Sequence, residues 1–462
     1  MSKTVSGRFR SPLVPRTRAT GYRRYDCHGP EGIRTPDLAV KSRLLYRAEL
    51  RAQERGGPTR TQEIKPRGRA SARGLSRFPS YVGTRGSIGV TMHVASVRLD
   101  EMELLLVEPF ETSFGVERHR RFLLVHVTTR SGEEGWGECA AAVDPLYSSE
   151  SIATARWMIS ERLIPLLFRL RSLSPETFLR EAERFRGHPM AKAAVELALH
   201  DARARVEGTS LSRALGGRRS RVRVGVSVGI QPTVPKLVDR VGRYLDAGYG
   251  RIKLKVRPGW DALPVGAVRR EFPDIEIWVD ANQAYPVRAG KEIRRWAERY
   301  RVAQVEQPFR ERAIRAHAEL ARGAPFRVCL DESIVDASSL DDALDAHALT
   351  SLNVKVARVG GLSVGAALAQ RAARERVPSW IGGMLESGIG RAHNVALAST
   401  APFVLPADLS ASDRYYHEDL TDPPFVLGPG STLEVPRGPG IGVEVVERTL
   451  RRHRKASRTF RP

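Results

Sequence analysis

A chain of 462 residues with 41 % hydrophobic content is long enough for two or three domains around a sizeable core, and too apolar to be disordered throughout. It carries no apolar run near the roughly 20 residues that span a bilayer, no charged-then-apolar secretory leader, and three scattered cysteines (Cys27, Cys139, Cys329) that form neither a disulfide framework nor a zinc site. The formal charge of +23 points toward nucleic acid, yet residues 1–91 hold 20 Lys/Arg against six Asp/Glu, Arg448–Pro462 holds seven basic residues and no acidic one, and residues 92–447 are nearly neutral with 48 against 46.

In chain order, residues 1–91 show no sustained helical or strand period and are rich in Arg, Gly, Ser and Pro, which reads as a disordered basic extension. An Arg-rich transit peptide and a gene start assigned too early, with Met92 the true start, are the other two readings. Residues 92–217 read as an α+β domain. Val94–Val107 and Phe122–Thr129 form a strand pair, and Glu150–Leu170, Pro175–Phe185 and Pro189–Glu207 carry helical spacing. Residues 218–447 alternate. Short β-branched runs occur at Val222–Val228, Arg251–Val256, Ile275–Val279, Val302–Val305, Phe326–Leu330, Leu352–Val356, Pro378–Ile381 and Phe403–Leu405, with helical segments such as Val234–Ala247, Ala289–Tyr300 and Val364–Glu375 between them. Eight strands alternating with helices predict a parallel barrel. The doubly wound open sheet lacks a Gly-rich phosphate loop after its first strand. Residues 448–462 read as a basic tail.

Ionisable residues end the middle strands: Lys253 and Lys255, then Asp280, Glu306, Asp331 and Lys355. From Lys255 the successive intervals are 25, 26, 25 and 24 residues, about one strand–helix unit each. Each unit therefore delivers a charged residue to one height, the C-terminal rim where barrel active sites are built. Stacking such charges at a barrel mouth carries a large desolvation cost unless they bind something. Asp280, Glu306 and Asp331 lie on adjacent strands and form an all-oxygen set suited to Mg²⁺ or Mn²⁺ rather than zinc. Lys255 and Lys355, four strands apart, face each other across the mouth. Two amines beside a dication suit the movement of a proton next to a carboxylate. A lysine is a base only when its pKa falls well below about 10.4, and Lys253, on the same strand face, is expected to supply a depressing charge.

The run Lys253-Leu254-Lys255 with Asp280, Glu306, Asp331 and Lys355 resembles the muconate-cycloisomerase-like branch of the enolase superfamily, over about Met92 to Val446. The resemblance implies a modified (β/α)₇β TIM barrel with an N-terminal α+β capping domain. Glu108-Pro109-Phe110, Thr112-Ser113-Phe114-Gly115, Gly135-Trp136-Gly137-Glu138-Cys139, Asp280-Ala281-Asn282 and the Gly-rich run Gly382–Gly388 are similar to the o-succinylbenzoate synthase and N-acylamino acid racemase type. That likeness implies a small-molecule carboxylate substrate, a place in menaquinone biosynthesis and a homo-oligomer, while the scattered thiols read as those of a cytoplasmic protein and neither membrane nor specific nucleic-acid partners are expected. Lys255 would take the α-proton of a hydroxy-cyclohexadiene carboxylate and return it in syn loss of water, while Lys355 stays protonated; in a racemase both would work, one per face. Ser113, Phe114, Ser227, Gly383, Met384, Glu386, Ser387 and Ile389 would line the pocket, with Asn282 and Glu332 behind the metal ligands. Arg358, behind Lys355, would make it a better base. Muconate-type cycloisomerase remains an alternative, as does, in a different class, nucleic-acid binding through the basic arms. Dipeptide epimerases typically carry an acidic pair where Leu405–Leu409 has Asp408 alone.

Overall fold

The computed structural model describes residues 92–462, so the readings of residues 1–91 lie outside the described residues. The capping unit begins with three antiparallel strands, Val94–Glu111, Val116–Thr129 and Glu134–Cys139. Their period of two sorts side chains between two cores. Leu123, Val125 and Val127 pack on the cap's own helices, whereas Phe122 and Leu124 join the core of the barrel. The expected helix over 150–170 is three consecutive pieces, Ile152–Met158, a π turn at Ile159–Leu163 and Ile164–Arg169. Pro165, which has no N–H to give, sits at the start of the last piece. Ser151 and Thr154 close a capping box at the first. The long helix Pro189–Val206 lies against the strand Glu134–Cys139. Two glycines permit that approach: a Cβ on Gly135 would stand 2.1 Å from the Ala198 carbonyl oxygen, and one on Gly137 2.0 Å from that of Ala194.

Seven parallel strands follow in sequential order: Val226–Val228, Arg251–Lys255, Glu276–Asp280, Gln304–Glu306, Arg327–Leu330, Ser351–Val354 and Ser379–Ile381. The expected first strand is split, because Arg221–Arg223 turns away to pair antiparallel with Thr432–Glu434. The expected eighth strand is no regular strand. Phe403 bridges Ser379 and Ala407 bridges Val224 in single parallel contacts that span the gap between the seventh strand and the first. Pro402 and Pro406 flank the run, and a proline has no N–H for a ladder.

The segment read as a basic tail is folded. Glu447–His453 is a helix, and Arg454–Phe460 is a fourth, edge strand antiparallel to Val94–Glu111. Its charges have partners that sequence separation hides: Arg454 with Asp100 and Glu447, Lys455 with Glu103, and Arg452 with Glu418. Among the described residues no helix is long and apolar enough to cross a membrane.

Candidate active site

Strand register brings the charged residues together. Lys255 is the register partner of Asp280, and Asp280 of Glu306. Lys253, Lys255, Asp280, Glu306, Asp331 and Lys355 are all buried, none more than 8 % exposed. Charge in so dry a place must be paired. Lys255 Nζ lies 2.6 Å from Asp280 Oδ2 and 2.6 Å from Asn282 Oδ1. Lys253 Nζ reaches Glu306 at 2.9 Å, Asp408 at 2.9 Å and Asp280 at 3.3 Å. Lys355 Nζ lies 2.9 Å from Asp331 Oδ2, and Arg358 pairs with Asp331 Oδ1.

These contacts set the electrostatics. Burial, aided by the neighbouring Asp280 charge, pushes Glu306 up to about 7 despite Lys253. Burial would raise Asp331 as well, but Lys355 and Arg358 outweigh it and hold the carboxyl below its usual range. Glu332 is pushed up to about 8 by burial and by the Asp331 and Asp280 charges. For Lys355, burial works downward, but Asp331, Tyr147 and Glu332 carry it above the ordinary lysine value. Lys253, expected to supply a charge beside Lys255, is itself closely paired. Three carboxylates, Asp408, Glu306 and Asp280, surround its ammonium and raise its own pKa well above normal against the pull of burial.

With side chains as they stand, the acids are drawn onto ammonium and guanidinium groups, and among the described residues no three His, Cys, Asp or Glu side chains converge as a ready metal cage. The donor set still fits a hard dication. Every donor is an oxygen, burial together with the Asp280 and Asp331 charges raises Glu306, and Glu332 Oε2 is a buried oxygen with no hydrogen-bond donor.

The supporting residues divide. Asn282, at φ 42° after its strand, donates to Glu332 Oε1 at 3.1 Å from its side chain and to Asp280 Oδ1 at 3.0 Å from its backbone. Ser113, on a cap loop, donates to the Asn282 carbonyl at 3.3 Å, and Phe114 beside it is 39 % exposed. Ser227 donates to Asp408 at 2.8 Å. A Cβ on Gly383 would meet the Asp408 carbonyl oxygen at 2.7 Å, and Met384 N–H donates to Glu386 Oε2 at 2.7 Å. Ser387 Oγ donates to Glu138 of the cap at 2.6 Å, and Ile389 is fully buried in the barrel core. Arg358 braces Asp331, also donating to the Ile334 and Asn353 carbonyls at 3.0 and 2.7 Å. It therefore acts on Lys355 through a shared carboxylate.

Four residues at the site were missed in the sequence. Asp408 holds Lys253 and, at 3.1 Å, Arg251, whose guanidinium stacks 4.5 Å from the Trp278 ring centroid. Asn353 donates to Glu306 Oε1 at 2.5 Å. Tyr147 donates to Asp331 Oδ1 at 2.8 Å. The strand-end rule that found Asp280 extends to Asp408 and could have found it, whereas Tyr147 lies in a loop without period and carries no such signal.

The family model for the mandelate racemase / muconate lactonizing enzyme N-terminal domain matches residues 95–216, and that for the enolase C-terminal domain-like fold matches residues 236–449. The chain is 44 % identical over 360 residues to an N-succinylamino acid racemase of Amycolatopsis sp, covering 78 % of this chain and 97 % of that one. It is 38 % identical over 366 residues to an o-succinylbenzoate synthase of Listeria innocua, covering 79 % and 97 %. A crystal structure of an enolase superfamily member from Listeria innocua aligns with TM-score 0.76 at 37 % identity, over 80 % of this chain and 99 % of that one. With matches over both domains and a strand-end charge set held in register across the barrel mouth, the chain belongs to the enolase superfamily.

Proposed function

We propose that this protein is an o-succinylbenzoate synthase: it removes the α-proton of a hydroxy-cyclohexadiene carboxylate and eliminates water. The observation that carries the reading is the register of Lys255, Asp280 and Glu306 on three neighbouring strands, with Lys355 paired to Asp331 further round the same sheet. The relatives' names support it, since o-succinylbenzoate synthases of several organisms are 35–38 % identical to this chain.

Asp280, Glu306 and Asp331 are the residues that would hold Mg²⁺ or Mn²⁺, with Asn282 and Glu332 behind them. When bound, such an ion supplies Lewis-acid stabilisation of negative charge developing on the substrate carboxylate. Lys255 Nζ accepts the α-proton, and the electron pair left on carbon delocalises into the carboxylate. The Lys355 ammonium stabilises that charge from the other face. The C–O bond then breaks, and the leaving hydroxyl takes the proton from Lys255 as water. Lys253, clamped by Asp408 and Glu306, holds the carboxylate cluster in place. Ser113 and Phe114 bring the cap over the mouth and exclude bulk water. The buried, unpaired thiols Cys139 and Cys329 suit a cytoplasmic enzyme.

A second reading, N-succinylamino acid racemase, is favoured by two features: both lysines end strands of one site, and the Amycolatopsis racemase is 44 % identical. One experiment separates them. The purified protein with Mg²⁺ or Mn²⁺ is given the dehydratase substrate and, separately, N-succinyl amino acids in deuterated water. Dehydration supports the first reading. Deuterium uptake with inversion and no dehydration selects the second, and neither reaction overturns both.

A further inference from the structure

Tyr147 lies on the cap loop between the strand Glu134–Cys139 and the helix Ile152–Met158, and its side chain enters the barrel mouth. Its hydroxyl donates to Asp331 Oδ1 at 2.8 Å and receives Arg358 Nη1 at 3.3 Å. Its ring lies 4.4 Å from Lys355 Nζ. On the cap side it meets the ring of Phe114, centroid to centroid at 6.4 Å. All three barrel contacts belong to the Lys355 flank.

The loop is tied at its C-terminal end. Ile152 N–H donates to the Ala142 carbonyl at 2.8 Å. Glu150 accepts the Met190 and Ala191 N–H groups at 2.8 and 2.9 Å, which fastens the loop to the first turn of the helix Pro189–Val206. The ring is therefore presented from a braced support. An aromatic face attracts an ammonium through its quadrupole, so Lys355 Nζ is located from two directions, by Asp331 and by Tyr147. The hydroxyl has one proton and gives it to Asp331, leaving its lone pairs to Arg358. One cap side chain thereby fixes a carboxylate and an amine together.

We propose that Tyr147 is a positioning residue that sets the Lys355 face of the site: its hydroxyl orients Asp331 toward a divalent cation and its ring holds the Lys355 amine at the substrate's second face. The inference rests on the two-lysine reading of the site. It goes further, because it makes one cap residue decide how well the second face works while the Lys255 face is left alone.

Each enantiomer of an N-succinyl amino acid is incubated separately with the Mn²⁺-saturated full-length protein in deuterated water, and α-proton exchange is followed by NMR. The unsubstituted protein exchanges both. Tyr147→Leu, which removes ring and hydroxyl, is expected to slow exchange of one enantiomer by on the order of tenfold to a hundredfold. Exchange of the other stays within about twofold. Equal loss for both enantiomers, or no loss, overturns the proposal, since a merely structural role has no preferred face. Tyr147→Phe keeps the ring and removes only the hydroxyl. Its Mn²⁺ affinity, measured directly by titration, is expected to fall by about tenfold, and an unchanged affinity overturns the part assigned to the hydroxyl. Failure of the unsubstituted protein to exchange either enantiomer sinks the two-lysine reading and this inference with it, whereas normal exchange with an unaltered face ratio in Tyr147→Leu sinks this inference alone.

Discussion

Single side chains at this site act mainly by neutralising one another. Asp408 is the clearest case. It is buried, accepts Ser227 and holds both Lys253 and Arg251. Burial works to raise its pKa, but the Lys253 and Arg251 charges hold it far below the usual carboxylate range. Asp408→Asn leaves two buried cations short of an anion, and urea denaturation should show a loss of about 3–5 kcal/mol. Lys255 carries a different expectation, because its role is in the chemistry. Lys255→Ala should lower dehydration by on the order of 10²–10⁴-fold, well beyond what the loss of its buried Asp280 pair takes from stability, as read by steady-state rates beside a denaturation curve. A large fall in stability with only a small loss of rate would move Lys255 out of its proposed role.

At the scale of elements, the cap is joined to the barrel by backbone proximity and buried carboxylates at helix starts. Glu138, at the end of the strand Glu134–Cys139, accepts from Ser387 and from Gly390 N–H at the start of the helix Gly388–Ala398. Glu196 does the same for Leu362 and Ser363, at 2.9 Å each. Burial pushes Glu138 up to about 8 from its ordinary 4.5. An acid whose folded pKa is raised contributes most below its unfolded value, and that contribution is lost as pH rises through the folded one. Thermal melts should therefore show Tm falling between about pH 4.5 and 8, with a flatter profile in Glu138→Gln. The same slope in both proteins would remove Glu138 as its source. Gly137 tests the strand–helix contact. A Cβ there stands 2.0 Å from the Ala194 carbonyl oxygen, so Gly137→Ala must push the strand off the helix, at a cost of roughly 1–3 kcal/mol in chemical denaturation.

For the whole molecule, the end of the chain returns to its beginning. The strand Arg454–Phe460 completes the cap sheet beside Val94–Glu111, and Thr449 and Arg452 of the preceding helix tie that return to Glu418. Removing residues 454–462 strips the ladder from Val97 to Met102 and leaves Asp100 without its Arg454 and Ser457 partners. The truncated protein should lose about 2 kcal/mol or more in urea. An unchanged midpoint would mean that the edge strand contributes nothing to the cap.

The sequence by itself carried the barrel and its charged rim, because both are periodic. Strand alternation, helix spacing and the recurring 25-residue interval from Lys255 to Asp280 are local properties of the chain. It was weaker where local preference and final structure part company. Glu134–Cys139 is a strand although glycines fill two of its six places, since a helix lies flat on it, and Phe403–Leu405 forms only bridges because prolines flank it. Only the tertiary structure decided which carboxylate meets which lysine, that Lys253 is clamped by three acids, that the basic C-terminal segment pairs with acids of the cap, and that Tyr147 stands beside Lys355. Such partners are distant in the chain, with Glu138 and Ser387 separated by 249 positions. The choice among them is made by distance and burial in the folded core, where an unpaired charge carries too great a desolvation penalty to persist.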